Sequence, residues 1–200
     1  MKFRRFAIPF HYSTIALVLM NASPALVLAQ DAHTHSPQHR LKPLDEQSNS
    51  GALLKIVREA TERFQDVHVA QAEGYALQFG CVTGSDEGAM GLHYVNGALV
   101  NSGVIDATRP QIVIYEPTAS GDLQLIGADY LVLAGTWNKT HSGPPQLMGQ
   151  LFHLFDSPNR FGLPAFYTLH VWAWKENPKG AFVNWNPNVS CQSFVGQTTL

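Results

Sequence analysis

Residues 163–191 read LPAFYTLHVWAWKENPKGAFVNWNPNVSC, and their first half decides the kind of fold. Residues 167–174 have the aromatic and β-branched content of a strand, with apolar side chains on both faces, the pattern of a strand buried within a sheet. A two-residue period sets Thr168, His170, Trp172 and Trp174 on one face and Tyr167, Leu169, Val171 and Ala173 on the other. A histidine that shares its face with two indoles is an uncommon composition for a purely structural strand. Turn signals follow at Asn177-Pro178, Lys179-Gly180 and Asn186-Pro187, and the chain then reaches Cys191.

Upstream, the pattern is one of short strands. Residues 111–116 lie between Pro110 and Pro117; a turn at 118–122 leads into a long apolar run, 123–134, and together these form a hairpin. Gly127 within that run marks a candidate bulge. Residues 75–82, ending near Cys81, and 91–96, carrying His93, are two further strands, separated by the glycine-rich acidic loop GSDEGAMG. Asp86 and Glu87 in that loop are too few for a calcium site, and the loop lacks the lysine of a phosphate cradle. Residues 147–155, with His153, read as another strand or a short helix, flanked by loops at 138–145 and 156–162. Before all of these, residues 53–73 carry Leu53, Val57, Ala60, Phe64, Val67 and Gln71 on one stripe, which predicts an amphipathic helix. Ser50 is its expected N-cap, Glu59–Arg63 an expected i,i+4 pair and Gly74 its stop. His68 flanks the stripe and reads as a partly exposed structural residue. One helix followed by strands joined mostly by turns is an α+β domain: an N-terminal helix packed on a largely antiparallel sheet.

Cys81 and Cys191 are the only cysteines and bracket the core. In an oxidising compartment they are expected to bond, constraining the unfolded chain by about 4–5 kcal/mol in the chain-entropy model; two unpaired buried thiols are the alternative. The compartment is indicated by residues 1–29. Lys2, Arg4 and Arg5 precede a short apolar run at 14–22, and Val27-Leu28-Ala29 forms a small-residue cleavage site, so these residues read as a signal peptide. Arg4-Arg5 also admits a twin-arginine signal, although its surroundings match that pattern poorly. No cysteine lies at the cut to take a lipid anchor. The expected mature protein is periplasmic or secreted, with 10 basic groups against 15 acidic ones. That balance, without any basic cluster, argues against nucleic acid or an anionic membrane surface as partner. Residues 30–51 are polar and proline-punctuated, which predicts a flexible tail before a domain spanning 52–200.

Four positions set a potential ligand in or at the end of an apolar strand: His93, Glu116, His153 and His170. Imidazoles and a carboxylate from separate strands suit zinc, copper or non-haem iron. No local signature such as H-E-x-x-H or C-x-x-C accompanies them, so half-buried structural histidines and a solvated Glu116 remain the other reading. Tyr94, Trp172, Trp174, Phe182 and Trp185 are candidates to line a small-molecule pocket, or else belong to core and rim. Asn184-Trp185-Asn186-Pro187 has the look of a tight corner in its wall.

Other chemistries are poorly supported. If Glu116 pairs with Leu123, Asp129 lies roughly 20 Å further along the hairpin, beyond the ~10 Å within which two carboxylates share acid and base work. There is no G-x-S-x-G elbow, and no G-x-G-x-x-G turn for a dinucleotide. His33, His35 and His39 lie in the polar tail, and a chain beginning at Asp31 would place His33 third, in register for a terminal copper or nickel site.

The segments GAMGLHYVN (88–96), YEP (115–117) and LHVWAWKENPKGAFVNWNPNVSC (169–191) resemble those of a family of exported bacterial proteins without an assigned activity. The likeness covers roughly residues 52–191. It implies a bacterial exported protein and groups His93, Glu116 and His170, and it supplies no reaction. The expectation is an exported, disulfide-closed domain that binds a transition metal or a small ligand. A metal-free binding or interaction module with structural histidines is the alternative.

Overall fold

The computed structural model describes residues 44–199, so the expected signal peptide and most of the expected tail lie outside the described residues. The last part of that tail is helical: α1 spans Leu44–Thr61, beginning well before residue 52. No proline follows Pro43 in this stretch, and nothing there interrupts a helix. Ser50 consequently sits inside α1 rather than at its cap, and accepts a hydrogen bond from Gln150 Nε2 at 2.9 Å.

The single helix expected over 53–73 is broken into three pieces. After α1 come a 3-10 turn, Glu62–Gln65, and α2, Val67–Ala72. Asp66 interrupts them with an extended backbone, and its side chain accepts from the His68 N–H at 2.9 Å, as an N-cap does. Local capping at Asp66 wins over continuation of the apolar stripe. The stripe still buries Leu53, Val57 and Phe64. Arg63 forks onto Glu73 at 2.7 and 2.8 Å rather than pairing with Glu59, whose partner is Lys55. Gly74, at φ +91°, ends the run as expected.

The sheet is built from β1 (Tyr75–Thr83), β2 (Ala89–Asn96), β3 (Ile112–Pro117), β4 (Leu123–Leu133), β7 (His153–Phe155), β8 (Phe166–Val171) and β9 (Thr198–Thr199). Short helices α3 (Gly97–Ser102) and α4 (Ala134–Trp137) follow β2 and β4, and β5 (Gln146–Leu147) and β6 (Gln150–Leu151) pair by themselves. The order is β7-β8-β4-β3-β2-β1-β9, antiparallel throughout except where β9 runs parallel to β1. This is the α+β architecture expected. The β3–β4 register is one residue away from the expected one: Glu116 faces Gln124, and Pro117 faces Leu123. The bulge falls beside Gly127, between the pairs Ile114–Gly127 and Tyr115–Leu125, so Ile126 is the extra residue. A Cβ on Gly127 would lie 2.6 Å from the Val171 carbonyl oxygen, and the glycine is what lets the end of β8 lie against β4.

Strand alternation gives the sheet two buried faces. Tyr130, Leu169 and Val171 meet Leu53 and Val57 of α1 on one. Ile112, Ile114, Leu131, Phe166 and Trp172 pack together on the other. Loops cover that second face, bringing Phe161, Leu163 and Val189 onto it. The strand expected to continue to Trp174 stops at Val171. The Trp174 and Lys175 N–H groups donate to Ile126 O, and the Trp174 indole crosses to the helical side to donate to Thr61 Oγ1 at 3.0 Å. Trp174 and Trp172 therefore do not share a face. Cys81 and Cys191 are disulfide-bonded, with Cα atoms 5.7 Å apart. Among the described residues no helix is long and apolar enough to cross a membrane.

Candidate metal centre

Three side chains converge on the loop-covered face. His93 comes from β2, Asp129 from β4 and His170 from β8, the last two directly opposite one another in the ladder. Each is 5 % exposed or less. One ligand atom from each lies within 4.8 Å of the others. His93 and His170 are separated by two intervening strands, a span of roughly 14 Å in a flat sheet, yet their Nε2 atoms are 3.3 Å apart. The β3–β4 bulge at Ile126 lies in the ladder between them.

The hydrogen bonds fix much of the proton arrangement. His93 Nδ1 lies 3.2 Å from Gly91 O, which can only accept, so Nδ1 carries the proton and Nε2 presents a lone pair. If His170 Nε2 donated to that lone pair, its own Nδ1 would be a bare lone pair 3.7 Å from Asp129 Oδ1, an acceptor. With the proton on His170 Nδ1 instead, N–H faces carboxylate, and two Nε2 lone pairs face each other at 3.3 Å. A cation between them makes that arrangement favourable. Two nitrogens at 2.0–2.1 Å from a tetrahedral ion stand about 3.3–3.4 Å apart, the separation present here.

Burial dominates the electrostatics. Desolvation pushes His93 down to about 4, with His170 adding to the shift, and pushes His170 down to about 3. Desolvation also pushes the Asp129 carboxyl up to about 6, against His93, the Thr168 hydroxyl and the Leu169 N–H. Both imidazoles are thus neutral and available to an ion at neutral pH. Thr168 Oγ1 donates to Asp129 Oδ1 and holds the carboxylate in place. His170 Nδ1 and Asn184 Oδ1 are the buried side-chain polar atoms without a hydrogen-bond partner among the described residues. The Asn184 amide bears on the same imidazole and favours its charged form.

Above the three groups is a cavity of about 20 Å³, room for one ion or one water. Its upper wall is phenylalanine. Phe155 stacks on Phe166 at 5.1 Å, and Phe161 meets Phe79 edge-on at 5.3 Å.

The other expected site residues lie elsewhere or at the margin. Glu116 is not a ligand: Lys175 Nζ and the Ser190 N–H hold its two oxygens, pinning the segment after β8 to β3. His153 is exposed on edge strand β7, opposite Thr168, close enough to act electrostatically on Asp129 and His170 but outside the three-residue group. Tyr94 points to the helical side, edge-on to Tyr115 at 5.1 Å, because its parity in β2 is opposite to that of His93. Trp172 does lie beside His170, ring centroids 5.9 Å apart, its indole N–H donating to Val183 O at 2.6 Å. Trp185 belongs to the outer loop, with the Arg160 guanidinium over its ring at 5.2 Å. Asp129 is the member that sequence reasoning passed over. It was weighed only as a partner for Glu116, whereas a carboxylate amid an apolar run was itself the signal.

Searches against protein-family models, curated proteins and solved structures find no match for this chain.

Proposed function

We propose that this protein is an exported metal-binding protein whose centre is His93, Asp129 and His170. The observation that carries the reading is the pair of buried Nε2 atoms at 3.3 Å, one of them locked as a lone pair by Gly91 O. Asp129 supplies the third ligand from the lone pairs that Thr168 leaves free. Two neutral imidazoles and a carboxylate with a further position open suit zinc or non-haem iron, and copper is the next candidate. Bound there, such an ion supplies a Lewis acid or redox centre in a dry pocket. The chain's own part would be to present two nitrogens and a carboxylate oxygen, hold that carboxylate through Thr168 and line the pocket with phenylalanine.

Export is supported by the leader-like composition of residues 1–29 and by the disulfide, which belongs in a non-reducing environment. The metal-free reading, two histidines sharing one N–H, leaves His170 Nδ1 buried without a hydrogen-bond partner, 3.7 Å from the Asp129 carboxyl.

One preparation tests both halves: untagged protein isolated from its native compartment, read by elemental analysis and intact mass. The expected result is close to one transition metal per chain and a chain beginning at Gln30. His93→Ala and His170→Ala should each abolish metal uptake while the disulfide-closed domain still folds. Folded wild-type protein that takes up no zinc, iron or copper after metal-replete expression would establish the metal-free reading instead.

A further inference from the structure

The pocket over His93, Asp129 and His170 does not end at those three side chains. Phe79, Ile112, Leu131 and Leu163 line it from outside, and the same four side chains line a second, outward groove of about 310 Å³. That groove runs past Val95 and Val100, beside α3, to Pro164, and no Asp, Glu, Lys or Arg contributes to it. Its size is that of a small-molecule site, and its walls suit an uncharged body. The four residues shared by the two spaces include one unusual member. Phe79 and Gly80 fall between the register pairs Gln78–His93 and Cys81–Leu92, outside the β1–β2 ladder. Phe79 holds φ +66°, a left-handed backbone that a bulky side chain rarely adopts. A bulge that re-aims one side chain beside a site is a recognised use of such strain. Here it carries a half-buried aromatic ring to where groove and inner pocket meet.

We infer that the groove seats an uncharged, apolar small molecule bearing one nitrogen or oxygen donor, with its body against Val100 and Leu163 and its donor passing Phe79 to the ion. This rests on the metal-centre reading. The juxtaposition has a chemical logic: three protein ligands leave a zinc-type centre one open position. Four residues line both spaces, so the groove is the apolar space that adjoins the open position.

Cobalt(II)-loaded protein gives the readout, because its visible absorption changes when a new donor binds. Imidazole serves as the probe without a body, and 4-phenylimidazole as the probe with one. The expected result is 4-phenylimidazole binding about tenfold or more tightly than imidazole, since its ring leaves water for the groove. Val100→Trp, which fills the groove from α3, should bring the ratio of the two affinities close to one. Phe79→Gly, which suits the backbone at φ +66°, should accelerate 4-phenylimidazole binding. An affinity ratio near one in the parent protein, an unaltered ratio in V100W, or an unaltered rate in F79G would each overturn the inference while leaving the metal centre standing. Failure of the parent protein to take up cobalt would remove the centre and this inference with it.

Discussion

Acidifying the metal-free protein measures how dry the centre is. His93 and His170, ordinarily near 6.5, are held down to about 4 and about 3 by burial, so between those limits the unfolded chain carries protons that the folded one lacks. Stability then falls as pH falls. Asp129 acts in the opposite sense. Raised from 3.8 to about 6, it is protonated in the folded state while still ionised in the unfolded chain, so acid favours the fold across that interval. Two histidines against one carboxyl leave a net uptake of about one proton on unfolding between pH 4.5 and 6, treated as one coupled set. The slope is on the order of 1.4 kcal/mol per pH unit, roughly 2 kcal/mol across the window. Glu73, whose carboxyl is lowered from 4.5, adds acid sensitivity of the same sign that sets in at the low end of that window, and Asp106, lowered from 3.8, adds its own mainly below it. Urea unfolding at half-unit pH steps in the presence of a chelator is the assay. In His170→Phe, His93 and Asp129 cancel and the slope should flatten. Stability that is level or rising as the wild-type protein goes from pH 6 to 4.5 would refute the argument, because it would mean that the imidazoles are hydrated and titrate normally.

Two further outcomes follow from the architecture. Reducing Cys81–Cys191, which closes a loop of 110 residues, should cost up to about 4–5 kcal/mol in the chain-entropy model, read as a lower urea midpoint with the reductant present. No change in midpoint would mean that the reduced chain retains an equivalent constraint. Gly127→Ala sets a methyl 2.6 Å from the backbone oxygen of Val171. It should destabilise the fold by roughly 1–3 kcal/mol and weaken metal uptake by shifting β8; a variant with unaltered stability would show that the strands can part at no cost.

The fold was legible in the sequence where local chemistry decides it. The continuous apolar run of residues 123–134, buried over most of its length, the turn at 118–122 and the two cysteines needed no tertiary information. The helix was misjudged at Asp66, where the apolar stripe continues but one side chain caps a new helix. Face assignment failed at Trp174 for a related reason: the two-residue period holds only while the ladder lasts, and β8 ends three residues earlier. His93 and His170 could be singled out by their apolar surroundings, but not their distance, which depends on strand order and curvature. Glu116 and Asp129 exchanged roles for a reason that lies in pairing. Lys175 and the Ser190 N–H reach the first from distant parts of the chain, and the second is opposite His170 only once β8 has joined β4.

Cys81 stands two residues beyond Phe79, at the point where β1 returns to register. The Cys81 N–H donates to Gln197 O at 3.0 Å, and Thr199 Oγ1 donates to Phe79 O, so β9 closes over the same spot. The covalent link and Phe79 therefore share one anchor. If the proposed centre holds an ion, the wall beside it would be less firmly fixed while the thiols are free than after they bond. Slower release of cobalt to a chelator from oxidised than from reduced protein would be the kinetic trace of that difference, and equal release would show that the crosslink and Phe79 act independently.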